Sequence, residues 1–250
     1  MRCSSYASAS FARADIIPSF AIRLIKDLCR CFLLLVAMDH SALGAKTVED
    51  RIQEFGAVAA KRWTPYFKHA EIAYPPRAVT LIGLKQEKVL EVYAAGTNGA
   101  FRFIRSYPIQ AASGKPGPKL REGDRQVPEG LYRIESLNPN SSYHLALRVN
   151  YPNDDDRARA KAEGPSKLGG DIMIHGKAVS IGCLAMGDET AEDLFVLAAL
   201  TGISNIEVIL SPVDFRVRDL KQIPEGAPAW TAERYAAIRR ELARYKKPIK

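Results

Sequence analysis

Two side chains in this sequence are of types, and at a spacing, that suit nucleophilic chemistry. His175 and Cys183 stand eight positions apart in the stretch DIMIHGKAVSIGCLAMGDE, residues 171 to 189. A thiol of ordinary pKa, about 8.5, is mostly protonated at neutral pH, so an imidazole that takes its proton or holds the thiolate turns cysteine into a nucleophile. Attack on a peptide carbonyl would give a thioester. Backbone N–H groups near Gly182 and Cys183 would meet the oxyanion, and His175 would return the proton to the leaving amine. Such a pair predicts a depressed thiol pKa that rises when His175 is replaced. The alternative is a buried cysteine that fills space as a small hydrophobe beside a satisfied histidine.

The pair must be held by its neighbours. Ile172 to Ile174 is short and apolar enough for a central strand that ends at His175 and Gly176. Thr190 to Asp193 reads as a capping box opening an apolar helix through Leu200. Between them, Ser180, Ile181 and Gly182 supply a small-residue loop, and Gly182, lacking a Cβ, permits unusual dihedrals there.

Upstream, residues 47 to 63 read as a helix with Thr47 and Asp50 as a capping box and Pro65 as its stop. From Ala78 the pattern becomes apolar and β-rich, with polar turns at Lys85 to Lys88 and Gly96 to Gly99, predicting three antiparallel strands. Residues 114 to 130, rich in proline and glycine, read as a long surface loop. Strands follow at Leu131 to Ile134, Tyr143 to Tyr151 and Ser204 to Pro212. The acidic triplet Asp154 to Asp156 reads as a solvated turn, and Trp230 to Lys247 as an amphipathic helix with Tyr235, Ile238, Leu242 and Tyr245 on one face. The expected fold is mainly β with flanking helices, in the α+β class.

A chain of 250 residues, 47% hydrophobic and 26% charged, can bury a substantial core, which excludes a disordered protein. A net charge of +8 favours anionic partners or is a plain basic surface. No run of five basic residues, Walker loop, zinc-ligand spacing or RNA-binding aromatic signature is present, so nucleic acid, metal and cofactor are not expected. Arg23, Lys26 and Arg30 precede the apolar run Cys31 to Met38, and small residues follow at Ser41 to Ala45; this order reads as an export leader. The run is too short for a conventional membrane span, so any membrane association would come through an uncleaved leader. Cys3, Cys29 and Cys31 lie in that leader, leaving Cys183 as the solitary thiol of an exported chain.

The stretch HGKAVSIGCLAM, preceded by GDRQVPEGLYRI, resembles the L,D-transpeptidase catalytic domain of the YkuD type, in its YafK-like branch, over about residues 77 to 212. The resemblance implies a β-sandwich-like cell-envelope enzyme, in the periplasm or envelope, acting on diaminopimelate-containing peptidoglycan stem peptides. It implies Cys183 as nucleophile and His175 as base. Gly176 would help orient the imidazole, and Ser180 and Gly182 would shape the nucleophile site. A wall-attached lipoprotein is a further implied partner. The family's serine-histidine-glycine-cysteine pattern has Ile181 in its histidine slot here, and the spacing from His175 is shorter than usual. Losing that polar group tilts the expectation toward hydrolysis, including release of wall-linked protein, over crosslinking or protein attachment. A noncatalytic peptidoglycan-binding module is the rival. The expected organisation is a leader at 1–45, an N-terminal helix and linker at 46–76, the catalytic domain at 77–212 and a helical extension at 213–250.

Overall fold

The computed structural model describes residues 44–164, 167–220 and 222–247. The expected leader lies outside the described residues but for its last two positions.

Helix α1 (Val48–His69) begins as its sequence implies: Thr47 Oγ1 accepts the Asp50 N–H at 3.1 Å, and the Asp50 carboxylate accepts the Thr47 N–H at 2.7 Å. It does not stop at Pro65 but runs through it to His69. A proline removes one helical hydrogen bond, and here the turn around it buries Trp63 and Phe67, whose rings meet edge to face at 5.6 Å.

Among the described residues nine strands follow: β1 (Ala78–Leu84), β2 (Val89–Ala95), β3 (Phe101–Pro108), β4 (Ala111–Ala112), β5 (Gly130–Ser141), β6 (His144–Val149), β7 (Met173–His175), β8 (Leu184–Ala185) and β9 (Ile206–Ser211). They form one mixed sheet in the order β3-β2-β1-β9-β5-β6-β7-β8-β4. The pairs β1–β9 and β7–β8 are parallel. Strand β5 is longer than its sequence suggested. Its first residues pair with β9 and the remainder with β6, so it joins the two halves of the sheet.

The halves share one core. Val79, Leu81 and Val92 from one side, and Leu145, Leu147, Ile174 and Leu184 from the other, pack together with Trp63 of α1 and with Leu194 and Phe195 of α3 (Asp188–Thr201). At Gly83 of β1 a Cβ would lie 2.8 Å from the Leu210 side chain and 3.2 Å from that of Leu184, a measure of how closely β1 approaches β8. The opposite face of β1, β2 and β9 is covered by α4 (Thr231–Leu242), whose Tyr235, Ile238 and Leu242 pack with Ile82, Leu84, Tyr93 and Ile209. Burial on both faces explains why β1 and β2 read as continuous apolar runs.

Three local expectations are corrected. The acidic triplet is not a solvated turn: Asn153 caps helix α2 (Asp154–Glu163), and Asp156 is buried against Arg234 at 2.8 Å. The segment between β4 and β5 is packed as well as irregular, because Lys85 Nζ reaches into it to the carbonyls of Lys115, Gly117 and Val127 and to Glu129 Oε1 at 2.7 Å. Glu129 Oε2 in turn accepts from Tyr235 of α4 at 2.7 Å. Helix α3 starts at Asp188 behind Gly187, earlier than the Thr190 box placed it. Asp193, assigned to that box, is instead fully buried. It accepts from Arg62 Nε at 2.6 Å and Tyr107 Oη at 2.8 Å, while its carbonyl accepts from the Trp63 indole at 3.0 Å.

Candidate active site

Strands β7 and β8 set the two residues in one cleft. Their parallel register sets Ile174 beside Leu184 and His175 beside Ala185. Cys183, one residue before β8, is therefore level with Met173, whose backbone N–H approaches the sulfur. Register partners on parallel strands share a face, and residues two apart return to it, so Cys183 and His175 lie on one face in diagonal positions. Both line a cleft of about 780 Å³, a volume in the range of ligand clefts.

His175 is 2% exposed. Its Nδ1 lies 2.5 Å from the Gly176 carbonyl, and because a carbonyl only accepts, Nδ1 carries the proton and Nε2 is left as the acceptor. The Tyr143 ring stacks at a tilt, with centroids 4.7 Å apart. Burial pushes the imidazole pKa below its ordinary value, with the Gly176 contact opposing. Gly176 is a glycine for lack of room: a Cβ would lie 2.5 Å from Asp188 Oδ1, 2.7 Å from the Tyr143 carbonyl and 3.0 Å from His144 Cβ.

The Cys183 thiol is half-buried and sits 3.5 Å from the Asp171 carbonyl. Burial raises its pKa, the Met173 N–H lowers it, the Asp171 carboxylate raises it and Lys119 lowers it; the net direction is up. The expected depressed thiol is thus not what this arrangement holds at rest. A buried imidazole and a buried thiol both favour their neutral forms.

The connecting loop is tied at both ends. Asp188 Oδ1 accepts the Lys177 N–H at 2.8 Å. Ser180 Oγ accepts from the N–H groups of Gly182 at 3.3 Å, Cys183 at 3.1 Å and Ser113 at 3.3 Å, and gives its own proton to the Cys183 carbonyl at 2.7 Å. The two N–H groups expected to be open to an oxyanion are therefore engaged by Ser180 at rest. Gly182 has φ +134°, a conformation that side-chain-bearing residues rarely adopt. Ile181 is 74% exposed at the lip of the cleft.

Sequence reasoning did not find the other side of the cleft. Lys119, Arg125, Asp171 and Tyr143 all line it. Lys119 is 7% exposed and pairs with Asp124 at 2.6 Å, and Asp171 pairs with Arg148 at 2.6 Å. Tyr143 reaches the imidazole because β5 and β6 turn back beside it and β6 pairs with β7. Its neighbour His144 turns away to Glu192 at 3.0 Å. The motif GDRQVPEGLYRI carried the one usable signal, since it holds Arg125 and also Asp124, whose carboxylate pairs with Lys119. Among the described residues, no group of three or more His, Cys, Asp or Glu side chains is arranged to hold a metal ion.

The YkuD family model, the L,D-transpeptidase catalytic domain, matches residues 78–209. The chain is 36% identical over 140 residues to Escherichia coli YafK, a protein named as an L,D-transpeptidase, with the same figures for the K12 and O157:H7 sequences. That match covers 54% of this chain and 53% of the relative, so the chain spans about half the length of the curated relatives it matches. Among solved structures, the helical cell shape determining protein Pgp2 of Campylobacter jejuni aligns in a mutant form with TM-score 0.45 and 24% identity over 61% of this chain and 54% of that one. Bd1075 of Bdellovibrio bacteriovorus aligns with TM-score 0.39 and 20% identity over 68% and 55%.

Proposed function

The chain belongs to the L,D-transpeptidase catalytic-domain family, and from that premise we propose that it is a cysteine acyl-transfer enzyme of the cell envelope acting on diaminopimelate-containing peptidoglycan stem peptides. One observation carries the reading: Cys183 and His175 share a face of one cleft, with the imidazole proton fixed on Nδ1 by the Gly176 carbonyl. That leaves Nε2 in the state a general base needs. The neutral resting pair suits proton transfer concerted with attack better than a standing thiolate does.

In this mechanism Cys183 Sγ attacks the stem-peptide carbonyl as its proton passes to His175 Nε2. The N–H groups of Gly182 and Cys183 leave the Ser180 hydroxyl for the developing oxyanion. The carbon–nitrogen bond then breaks, the amine departs with the proton from Nε2, and the acyl group remains as a thioester. An incoming water or amine gives its proton to Nε2, attacks the thioester and expels the Cys183 sulfur, which recovers that proton. The exposed lip at Ile181 offers no polar side chain to position or deprotonate a bulky amine, which favours water as the acceptor. Hydrolysis is thus the main outcome and crosslinking the minor one. The amide that ties a wall-attached lipoprotein to a stem peptide is a further substrate. An exported location fits this chemistry, and no helix among the described residues is long and apolar enough to cross a membrane.

Purified muropeptides incubated with the protein in isotope-labelled water should release acids carrying the label, by mass spectrometry. Cys183→Ala and His175→Gln, each checked for folding by circular dichroism, should be inactive. New crosslinks without label would make transpeptidation the main reaction; muropeptide binding without turnover would leave a noncatalytic wall-binding module.

A further inference from the structure

We propose that Arg125 is the residue that reads the substrate's charge in this cleft, by pairing with a free carboxylate of the stem peptide; the inference rests on the functional reading above. Two cations, Lys119 and Arg125, line the cleft. Lys119 is buried and spends its charge on Asp124, with the Arg121 carbonyl accepting a further proton of its ammonium at 2.9 Å. Arg125 is exposed and, among the described residues, makes no ion pair. The cleft's own carboxylates do not take it: Asp171 is held by Arg148, and Glu122 forms no pair with Arg125.

The backbone at this position is built for presentation. Arg125 has φ +53°, the left-handed conformation, which costs a residue with a side chain about 1 kcal/mol and recurs at ligand-binding positions. It is imposed by Asp124, whose carboxylate accepts from Leu120 N–H at 2.9 Å, Arg121 N–H at 3.0 Å and Gln126 N–H at 3.0 Å besides the Lys119 ammonium. A turn clamped by four hydrogen bonds holds a long unpaired guanidinium at the rim of the cavity that contains Cys183. A planar guanidinium binds a carboxylate through two parallel hydrogen bonds.

The test compares two muropeptides that differ only in whether their free carboxylates are amidated. Wild type should favour the free acid through KM by about tenfold, the scale of one exposed charge-assisted contact, with kcat unchanged. Arg125→Gln should erase that preference by raising KM for the acid alone. Arg125→Lys should keep part of it. Arg125→Gly should also erase it while unfolding at no lower a temperature than wild type, because glycine relieves the left-handed strain; a purely structural role for Arg125 would not separate those two readouts. Equal use of acid and amide by wild type, or an acid preference that survives in Arg125→Gln, overturns the assignment and leaves the acyl-transfer reading standing. Turnover of neither substrate by wild type overturns both.

Discussion

Gly176→Ala tests how far the Gly176 backbone, beside the Tyr143 ring, holds the imidazole. The new methyl would lie 2.5 Å from Asp188 Oδ1, 2.7 Å from the Tyr143 carbonyl and 3.0 Å from His144 Cβ. Asp188 can rotate away, but it then gives up the Lys177 N–H, a loss of about 1 kcal/mol. The Tyr143 carbonyl is backbone, in a turn already tightened by His144 at φ +74°, so it does not yield cheaply. Residue 176 is itself fixed to β6 through its N–H to the Leu145 carbonyl at 3.2 Å. Overpacking of this kind costs about 1–3 kcal/mol. The sum, about 2–4 kcal/mol, corresponds to a melting temperature lower by roughly 4–16 °C in a domain of this size. The same displacement moves the Gly176 carbonyl off Nδ1, so turnover should fall at least about tenfold, a fraction of what a positioned base contributes. Thermal denaturation and initial rates on a muropeptide, both at a temperature where the variant is folded, check the two effects. Wild-type melting and wild-type rate together would refute the crowding argument. Lowered stability with full activity would show that the Gly176 carbonyl does not position His175.

Two further perturbations follow from buried charge. Because burial lowers the His175 pKa, the acid limb of the rate profile should lie below the ordinary imidazole value of about 6.5, and because burial raises the Cys183 pKa, alkylation by iodoacetamide should keep climbing past about 8.5; an alkylation plateau near neutrality would contradict the neutral resting pair. Asp193→Ala takes the acceptor from the buried Tyr107 hydroxyl and leaves the Arg62 guanidinium with Glu192, so it should cost about 1–3 kcal/mol, read as a lower urea midpoint at unchanged slope.

What could be read in advance was set by the range of the interactions concerned. The Thr47–Asp50 box, the β-rich run from Ala78 and the apolar strand ending at His175 are local patterns, written within a few residues, and each appears in the fold. Asp193 looked like a capping residue because the spacing Thr190 to Asp193 fits that role, while its true partners, Arg62 and Tyr107, lie more than eighty positions away. Pro65 was misread for a related reason: the burial of Trp63 and Phe67 against distant strands outweighs a local breaker. His175 and Cys183 stood out because only one short loop separates them. The wall opposite, with Lys119 and Arg125, is assembled by a clamped turn whose partners no periodicity announces.

The quiet resting state of Cys183 also bears on how long the protein stays intact. Peroxide attacks the thiolate, and the first product, a sulfenic acid, is rescued when a second thiol condenses with it. Among the described residues Cys183 is the only cysteine, so those residues hold no second thiol to resolve such damage before it proceeds to irreversible acids. A sulfur whose pKa burial raises presents little of the vulnerable form. The burial that holds this thiol in its neutral form is then also what slows its oxidation.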